Sequence, residues 1–208
     1  GAKHGNYEYP EFLVSMERTH HNKNWQEALD NLKGEGAFMI NLRQYVDFLN
    51  LLRSGRAHDG NGTLIPQSRL NDLYNDITQV RSPWRSEWID ARFDKIPSRT
   101  IAGLTITSQL QMTYHSLDKK GNYVEYKQPI EDCLMSDKTI NLENWLSNAT
   151  EQGLPKENID DGQLYYWRPK NERVAWFFAY SVRAGLGCDR GPADRVAELG
   201  VRACRAKK

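Results

Sequence analysis

The sequence lacks any apolar run approaching the roughly 18 residues that a membrane-crossing helix needs, so no span is expected. It also lacks an excess of either charge. The formal net charge is +1 over 208 residues, and the basic residues are scattered rather than grouped. That removes the electrostatic footprint of a nucleic-acid-binding protein. The basic end, "RACRAKK", reads as a solvated terminus. Cysteine is scarce. Cys133, Cys188 and Cys204 are widely spaced and odd in number, which suits neither a zinc site nor a disulfide framework. They read as small buried thiols. No glycine loop for phosphate and no nucleophile elbow around a serine is present. His20, His21, His58 and His115 fall at no metal-ligand spacing and read as surface or capping residues. "HDGNGTL" invites comparison with a calcium loop, but the alignment puts Ala57 at its first position and Ser68 at its last, leaving too few oxygen ligands. A tight turn is expected there. No catalytic residue, metal or cofactor is therefore expected.

What is present is ordinary soluble composition, with 39% hydrophobic and 26% charged residues. One domain over 1–208 is expected, long enough for a substantial core. Residues 1–80 read as mostly helical. Trp25, Ala28, Leu29 and Leu32 share one helical face ended by Gly34 and Gly36. Leu42, Tyr45, Val46, Leu49 and Leu52 share a second, ended by Gly55. Leu70, Leu73, Tyr74 and Ile77 share a third, opened by Pro66. From Trp84 the period changes to two, with Trp88, Asp90 and Arg92 alternating against Ile89, Ala91 and Phe93. "GLTITSQLQMTY" and "KKGNYVEYKQPI" read as strands, with 108–114 open between strand and helix, and "TINLENWLSNATEQG" as a further helix. Helices first and short strands after define an α+β class. The opening "GAKHG" reads partly as an expression scar, which leaves the compartment open.

The last stretch, "RVAWFFAYSVRAGLGCDRGPADRVAELGVRACR", has residues of a packed frame alternating with a filling of no shared chemistry. The frame is Val174, Ala175, Phe177, Ala179, Ser181, Ala184, Leu186, Cys188, Pro192 and Leu199-Gly200-Val201-Arg202. This frame resembles the variable region of diversity-generating retroelement proteins, most closely the archaeal ones. "SPWRSEWIDARF" upstream is similar more loosely. The resemblance implies a C-type lectin fold related to formylglycine-generating enzymes, with ligand-binding residues within 165–205. It also implies that a template-directed, adenine-specific mutagenesis rewrites chosen codons, usually asparagine codons, whose products never include Trp, Glu, Lys, Gln or Met.

Carried over, the variable positions are Phe178, Tyr180, Val182, Gly185, Gly187, Asp189, Gly191, Ala193, Asp194 and Val196. Trp176 joins them, standing where the family often has arginine. Arg195 and Glu198 stay open between variable and scaffold. Trp176, Phe178 and Tyr180 alternate with frame residues, so an extended segment places them on one face as exposed anchors. Asp189 and Asp194 would supply polar contacts, and the glycines at 185, 187 and 191 would leave hollows. Phe177, with one of Tyr165 and Trp167, is assigned to the core. The function implied is binding without a reaction, to a macromolecular partner, most simply a protein. The alternative is an oxidase of the formylglycine-generating type, which needs two neighbouring cysteines for copper; Cys188 and Cys204 are the pair on offer. A calcium-dependent sugar-binding lectin is disfavoured, because the Glu-Pro-Asn and Trp-Asn-Asp tripeptides are absent.

Overall fold

The computed structural model describes residues 1–101, 104–106, 109–118 and 120–207. Gly103, Thr107, Ser108 and Lys119, which fall in stretches read as strand or turn, lie outside the described residues. The chain opens with strands β1 (Ala2–His4), β2 (Tyr7–Tyr9) and β3 (Phe12–Thr19), then α1 (Trp25–Gly34), β4 (Phe38–Met39), α2 (Leu42–Ser54) and α3 (Gln67–Thr78). Strand β5 (Arg85–Ile96) is followed by β6 (Arg99–Ile101), β7 (Leu104–Ile106), β8 (Gln109–Leu117), β9 (Tyr123–Pro129) and β10 (Lys138–Ile140). Helix α4 (Leu142–Asn148), β11 (Leu164–Trp167), β12 (Arg173–Ala179), β13 (Ala184–Arg190) and β14 (Leu199–Ala206) complete the order. The class is α+β, as the change of period implied.

All four anticipated helices form, the first three where their apolar stripes fall. Asn24 and Asn41 each cap a helix by accepting from the N3 backbone N–H, with Glu27 and Gln44 closing the reciprocal bond. Gly55 ends α2 in the left-handed region at φ 67°, where a side chain would be strained. "HDGNG" is a tight turn in which the Asp59 carboxylate accepts from the backbone of Asn61 and Thr63, both at 2.9 Å. Residues 109–114 are strand. Within 1–80 the helices occupy 25–34, 42–54 and 67–78, whereas 2–19 forms a hairpin and a long strand.

That long strand closes the molecule. The main sheet runs β10-β11-β13-β12-β5-β14-β3, so β3 and β14, from opposite ends of the chain, pair antiparallel at one edge. One face of the sheet buries α2, α3 and α4 through Leu42, Tyr45, Leu70, Ile77 and Trp145, against Ile89, Phe93, Phe177 and Leu186. The other face carries α1, with Trp25, Ala28, Leu29 and Leu32 packed on Trp88, Val174, Trp176, Phe178, Leu199 and Val201.

An ion cluster pins the crossing of β3, β5 and β14. Glu87, Arg85 and Arg202 are all buried. The Glu87 carboxylate lies 2.7 Å from Arg202 Nε and 3.0 Å from an Arg85 terminal nitrogen, and it accepts from the Tyr45 hydroxyl at 2.5 Å. Burial alone would raise the Glu87 pKa, but Arg202 and Arg85 outweigh it and hold the carboxyl below its ordinary value. Arg202 also donates to the Ser15 and Met16 carbonyls, where β3 bulges away from β14. The "LGVR" ending thus has a physical content. Leu199 and Val201 fill the α1 face, and Arg202 ties Glu87 to the N-terminal strand. A Cβ at Gly200 would come within 3.0 Å of the Thr19 carbonyl and the His21 ring.

Candidate binding face

The C-terminal segment lies on the α1 face, beyond the helix. Strand β12 alternates as its sequence implies. Ala175, Phe177 and Ala179 point to the α2 side, while Val174, Trp176 and Phe178 point to the α1 side, with Tyr180 continuing the row. Ring centroids lie 4.6 Å apart for Trp176–Phe178, 4.9 Å for Phe178–Tyr180 and 5.0 Å for Tyr180–Trp84. Strand β11 adds two more rings to this face: Trp167 is 5.1 Å from Phe178 and 5.8 Å from Tyr165. Tyr166, not Tyr165 or Trp167, takes the core place, buried with its hydroxyl donating to the Leu134 carbonyl at 3.0 Å.

Two of the three anticipated anchors are not exposed. Trp176 keeps 7% of its surface accessible and Phe178 only 1%. The cause lies on the neighbouring strand. In the β12–β13 register Trp176 faces Gly187 and Phe178 faces Gly185. A Cβ built on Gly187 would stand 2.1 Å from Trp176 Nε1, and one on Gly185 would stand 2.5 Å from the Phe178 ring. These glycines leave no hollows. The rings lie down across them, as aromatics do over strand glycines.

The outward residues are a different subset. Val182 is 81% exposed; Ala193 and Asp194 are exposed, and Tyr180, Asp189, Gly191 and Val196 are half-buried. Asp189 pairs with Lys170 at 3.0 Å and Asp194 with Arg190 at 3.3 Å. Burial pushes the Tyr180 phenol above its ordinary pKa, with Arg190 opposing. Of the two open positions, Arg195 is exposed and pairs with Glu27 at 2.7 Å. The Glu198 carbonyl accepts from the Ser86 backbone at 3.1 Å and from Arg18 at 2.6 Å, so its backbone belongs to the scaffold.

Backbone bonds hold the exposed turns with little help from their side chains. The Tyr180 N–H donates to the Arg183 carbonyl at 2.7 Å, closing a turn that presents Ser181 and Val182. The Arg81 N–H donates back to the Tyr180 carbonyl at 2.8 Å, and the Trp25 N–H to the Pro192 carbonyl at 3.0 Å. Leu186, Cys188, Leu199 and Val201 are fully buried beneath.

Sequence reading missed two arginines that work with the rings. Arg183 lies over Tyr165 and Trp167, 5.3 and 5.2 Å from their centroids, and Arg190 lies 4.2 Å over Trp176. Their odd separation in sequence would put them on opposite faces of a regular strand; Arg183 instead precedes β13 and the register shifts between Arg190 and Gly187. The result is a row of aromatic rings, tilted against one another, with guanidinium groups resting on it. Cavities of about 370 and 250 Å³ lie elsewhere, between β3, α2 and the 56–60 loop.

The cysteines are buried, as expected, and unpaired. Burial pushes Cys133 up to about 11 and raises Cys188 and Cys204 further. Cys188 on β13 and Cys204 on β14 are separated by β12 and β5, three inter-strand steps of about 4.8 Å, hence roughly 14 Å apart. That is beyond the reach of a shared bond or ion. Thiol reagents are therefore expected to modify none of the three rapidly in the native protein and all three once it is denatured. Fast labelling of Cys188 or Cys204 in the folded state would contradict this burial. Among the described residues no group of three or more His, Cys, Asp or Glu side chains is placed to hold a metal. His115 departs from the surface reading. It is half-buried, with Nδ1 3.1 Å from the buried Asp90 carboxylate and its ring stacked on Tyr123. No helix among the described residues is long and apolar enough to cross a membrane.

Comparison with family models, with characterised proteins and with solved structures found no match for this chain.

Proposed function

We propose that this protein is a non-enzymatic binding protein of the diversity-generating retroelement variable class, built on a C-type lectin fold, with 165–205 as its ligand-binding region. One observation carries the reading. The 180–198 segment is held by backbone hydrogen bonds and buried frame residues, so Tyr180, Val182, Asp189, Ala193 and Asp194 can change without removing what holds the chain. A loop-bearing surface pinned by a rigid core is the physical requirement for tolerating a variable paratope. The antiparallel pairing of the first long strand, β3, with the last, β14, supports the lectin-type fold. The cavities between β3, α2 and the 56–60 loop are not lined by residues of 165–205, which favours a protein partner over a small molecule that would need a concave site. The separation of Cys188 from Cys204 counts against the oxidase alternative.

The contact set follows exposure. Tyr180, Val182, Asp189, Ala193, Asp194 and Val196 meet the partner, with Tyr165, Trp167 and Arg183 beside them, while Trp176 and Phe178 support the face from below. The direct test is the DNA flanking the gene. It should carry a reverse transcriptase and a near-copy of the segment encoding 174–202, differing from it at adenines. Flanks without either would remove the diversification from the reading. In a variant selected by surface display against a purified target protein, Tyr180→Ala should weaken binding by about 2 kcal/mol or more, as truncated interface aromatics do. Affinities unmoved by Tyr180→Ala and Val182→Asp in several such variants would place the binding face elsewhere.

A further inference from the structure

We propose that Gly187 and Trp176 act as one coupled unit that sets the relief of the face, whereas Gly185 belongs to the fixed scaffold. The two glycines look equivalent in sequence, lying two residues apart on β13 and each opposite an aromatic of β12. Their surroundings differ. The three atoms nearest a Cβ on Gly187 are all in the Trp176 indole, at 2.1, 2.8 and 3.0 Å. The atom nearest a Cβ on Gly185 is the Tyr165 backbone carbonyl oxygen, at 2.4 Å, in the parallel-paired strand β11.

An indole can rotate about its side-chain torsions; a carbonyl in a central sheet cannot retreat without breaking ladder bonds. Any side chain at 187 therefore evicts the indole and leaves the strand in place. The evicted ring has one way to go. Its sheet side is closed by β13, the α1 cluster fills the space on the helix side, and over the ring lie the half-buried Arg190 and Tyr180. Leaving Gly187, it must lift toward solvent and push the Arg190 guanidinium from its seat, which also disturbs the Arg190–Asp194 pair. The indole nitrogen loses no bond in doing so, because Trp176 Nε1 is buried with no hydrogen-bond partner in its present position.

With glycine at 187 the indole lies buried against the strand; with anything larger it becomes a protruding aromatic, the kind of anchor that fills a partner's pocket. A change at one codon would thus switch the shape class of the site, and positions 176 and 187 do not vary independently. The biological meaning rests on the binding function proposed above. The ring movement does not, and it is measured without any ligand.

The experiment uses the whole chain uniformly labelled with 15N, read at its six tryptophan indoles and at its backbone amides. Trp176→Phe assigns the Trp176 resonance, and a soluble gadolinium chelate reports exposure. In Gly187→Ala the Trp176 signal should shift and broaden with the chelate while that of Trp145, on the opposite face, stays unchanged. A Trp176 signal that remains protected, with shifts instead along the β13 amides, would overturn the proposal. Should Gly187→Ala not fold, Gly187→Ala is placed in a Trp176→Ala background. There it should melt with the Trp176→Ala parent; failure to fold in that background also overturns the proposal. Gly185→Ala in a Phe178→Ala background should remain strongly destabilised, and full recovery there would remove Gly185 from the scaffold.

Discussion

Glu87→Gln is expected to destabilise the protein by about 3–5 kcal/mol, the usual consequence of breaking a buried ion pair from one side. The carboxylate is enclosed by Arg202, Arg85 and Tyr45, and its own accessibility is 1%. Removing its charge takes away the carboxylate that Arg202 pairs with and leaves Arg85 with the partly exposed Asp76, 2.6 Å away. For a chain of this size each kcal/mol moves the melting midpoint by roughly 2–4 °C, so the loss is easily read in a thermal melt. The pH dependence has a definite sign. The folded pKa of Glu87 lies below the unfolded value, so its stabilisation is complete above an ordinary carboxylate pKa of about 4.3 and is lost as pH falls through the folded value. The gap between wild type and Glu87→Gln should therefore be full at pH 7 and narrow on acidification below about pH 4. Urea midpoints that coincide at pH 7 would show that the cluster contributes specificity alone.

How much of this was legible in the chain depends on the range of the interaction. The stripes of α1, α2 and α3 are local, repeat at helical spacing, and fall where expected. The "EWIDARF" alternation likewise gave β5. The N-terminal strands were missed although a local signal existed: Gly5-Asn6 between alternating residues is a hairpin turn, and Gly5 sits at φ 56°. Strand β3 offered less, because its pairing with β14 is interrupted by a bulge at residues 15–17 that serves Arg202. The Glu87–Arg202 pair links distant parts of the chain, and no spacing announces it.

The candidate face divides in the same way. Period two correctly put Trp176, Phe178 and Tyr180 on one side, but a period cannot say whether that side is covered. Cover comes from α1, far upstream, and from two glycines whose partners are set by strand register. The expected exposure is therefore met at Val182 and Asp194, where the chain turns, met in part at Tyr180 and Asp189, and wrong at Trp176 and Phe178, where it is a strand inside the sheet.

Leu199→Ala and Val182→Asn should separate scaffold from filling more cleanly than any contact count, because they lie in one segment and differ in a single property. Leu199 is fully buried within the cluster that holds Trp25, Leu29, Trp88 and Val201. Its truncation leaves a cavity between α1 and the sheet, at a typical cost of about 2–5 kcal/mol. Val182 stands at the tip of a turn closed by backbone bonds, with 81% of its surface already in water, so Val182→Asn should stay within about 0.5 kcal/mol. Asp189→Tyr removes only a partly exposed pair with Lys170, worth no more than about 1 kcal/mol. Thermal melts of the three single variants need no ligand. The expected order is one large downward shift for Leu199→Ala and two small ones. If Val182→Asn and Asp189→Tyr unfold the protein as readily as Leu199→Ala does, the segment is ordinary core, its side chains are not free to vary, and the diversified-binder reading fails with it.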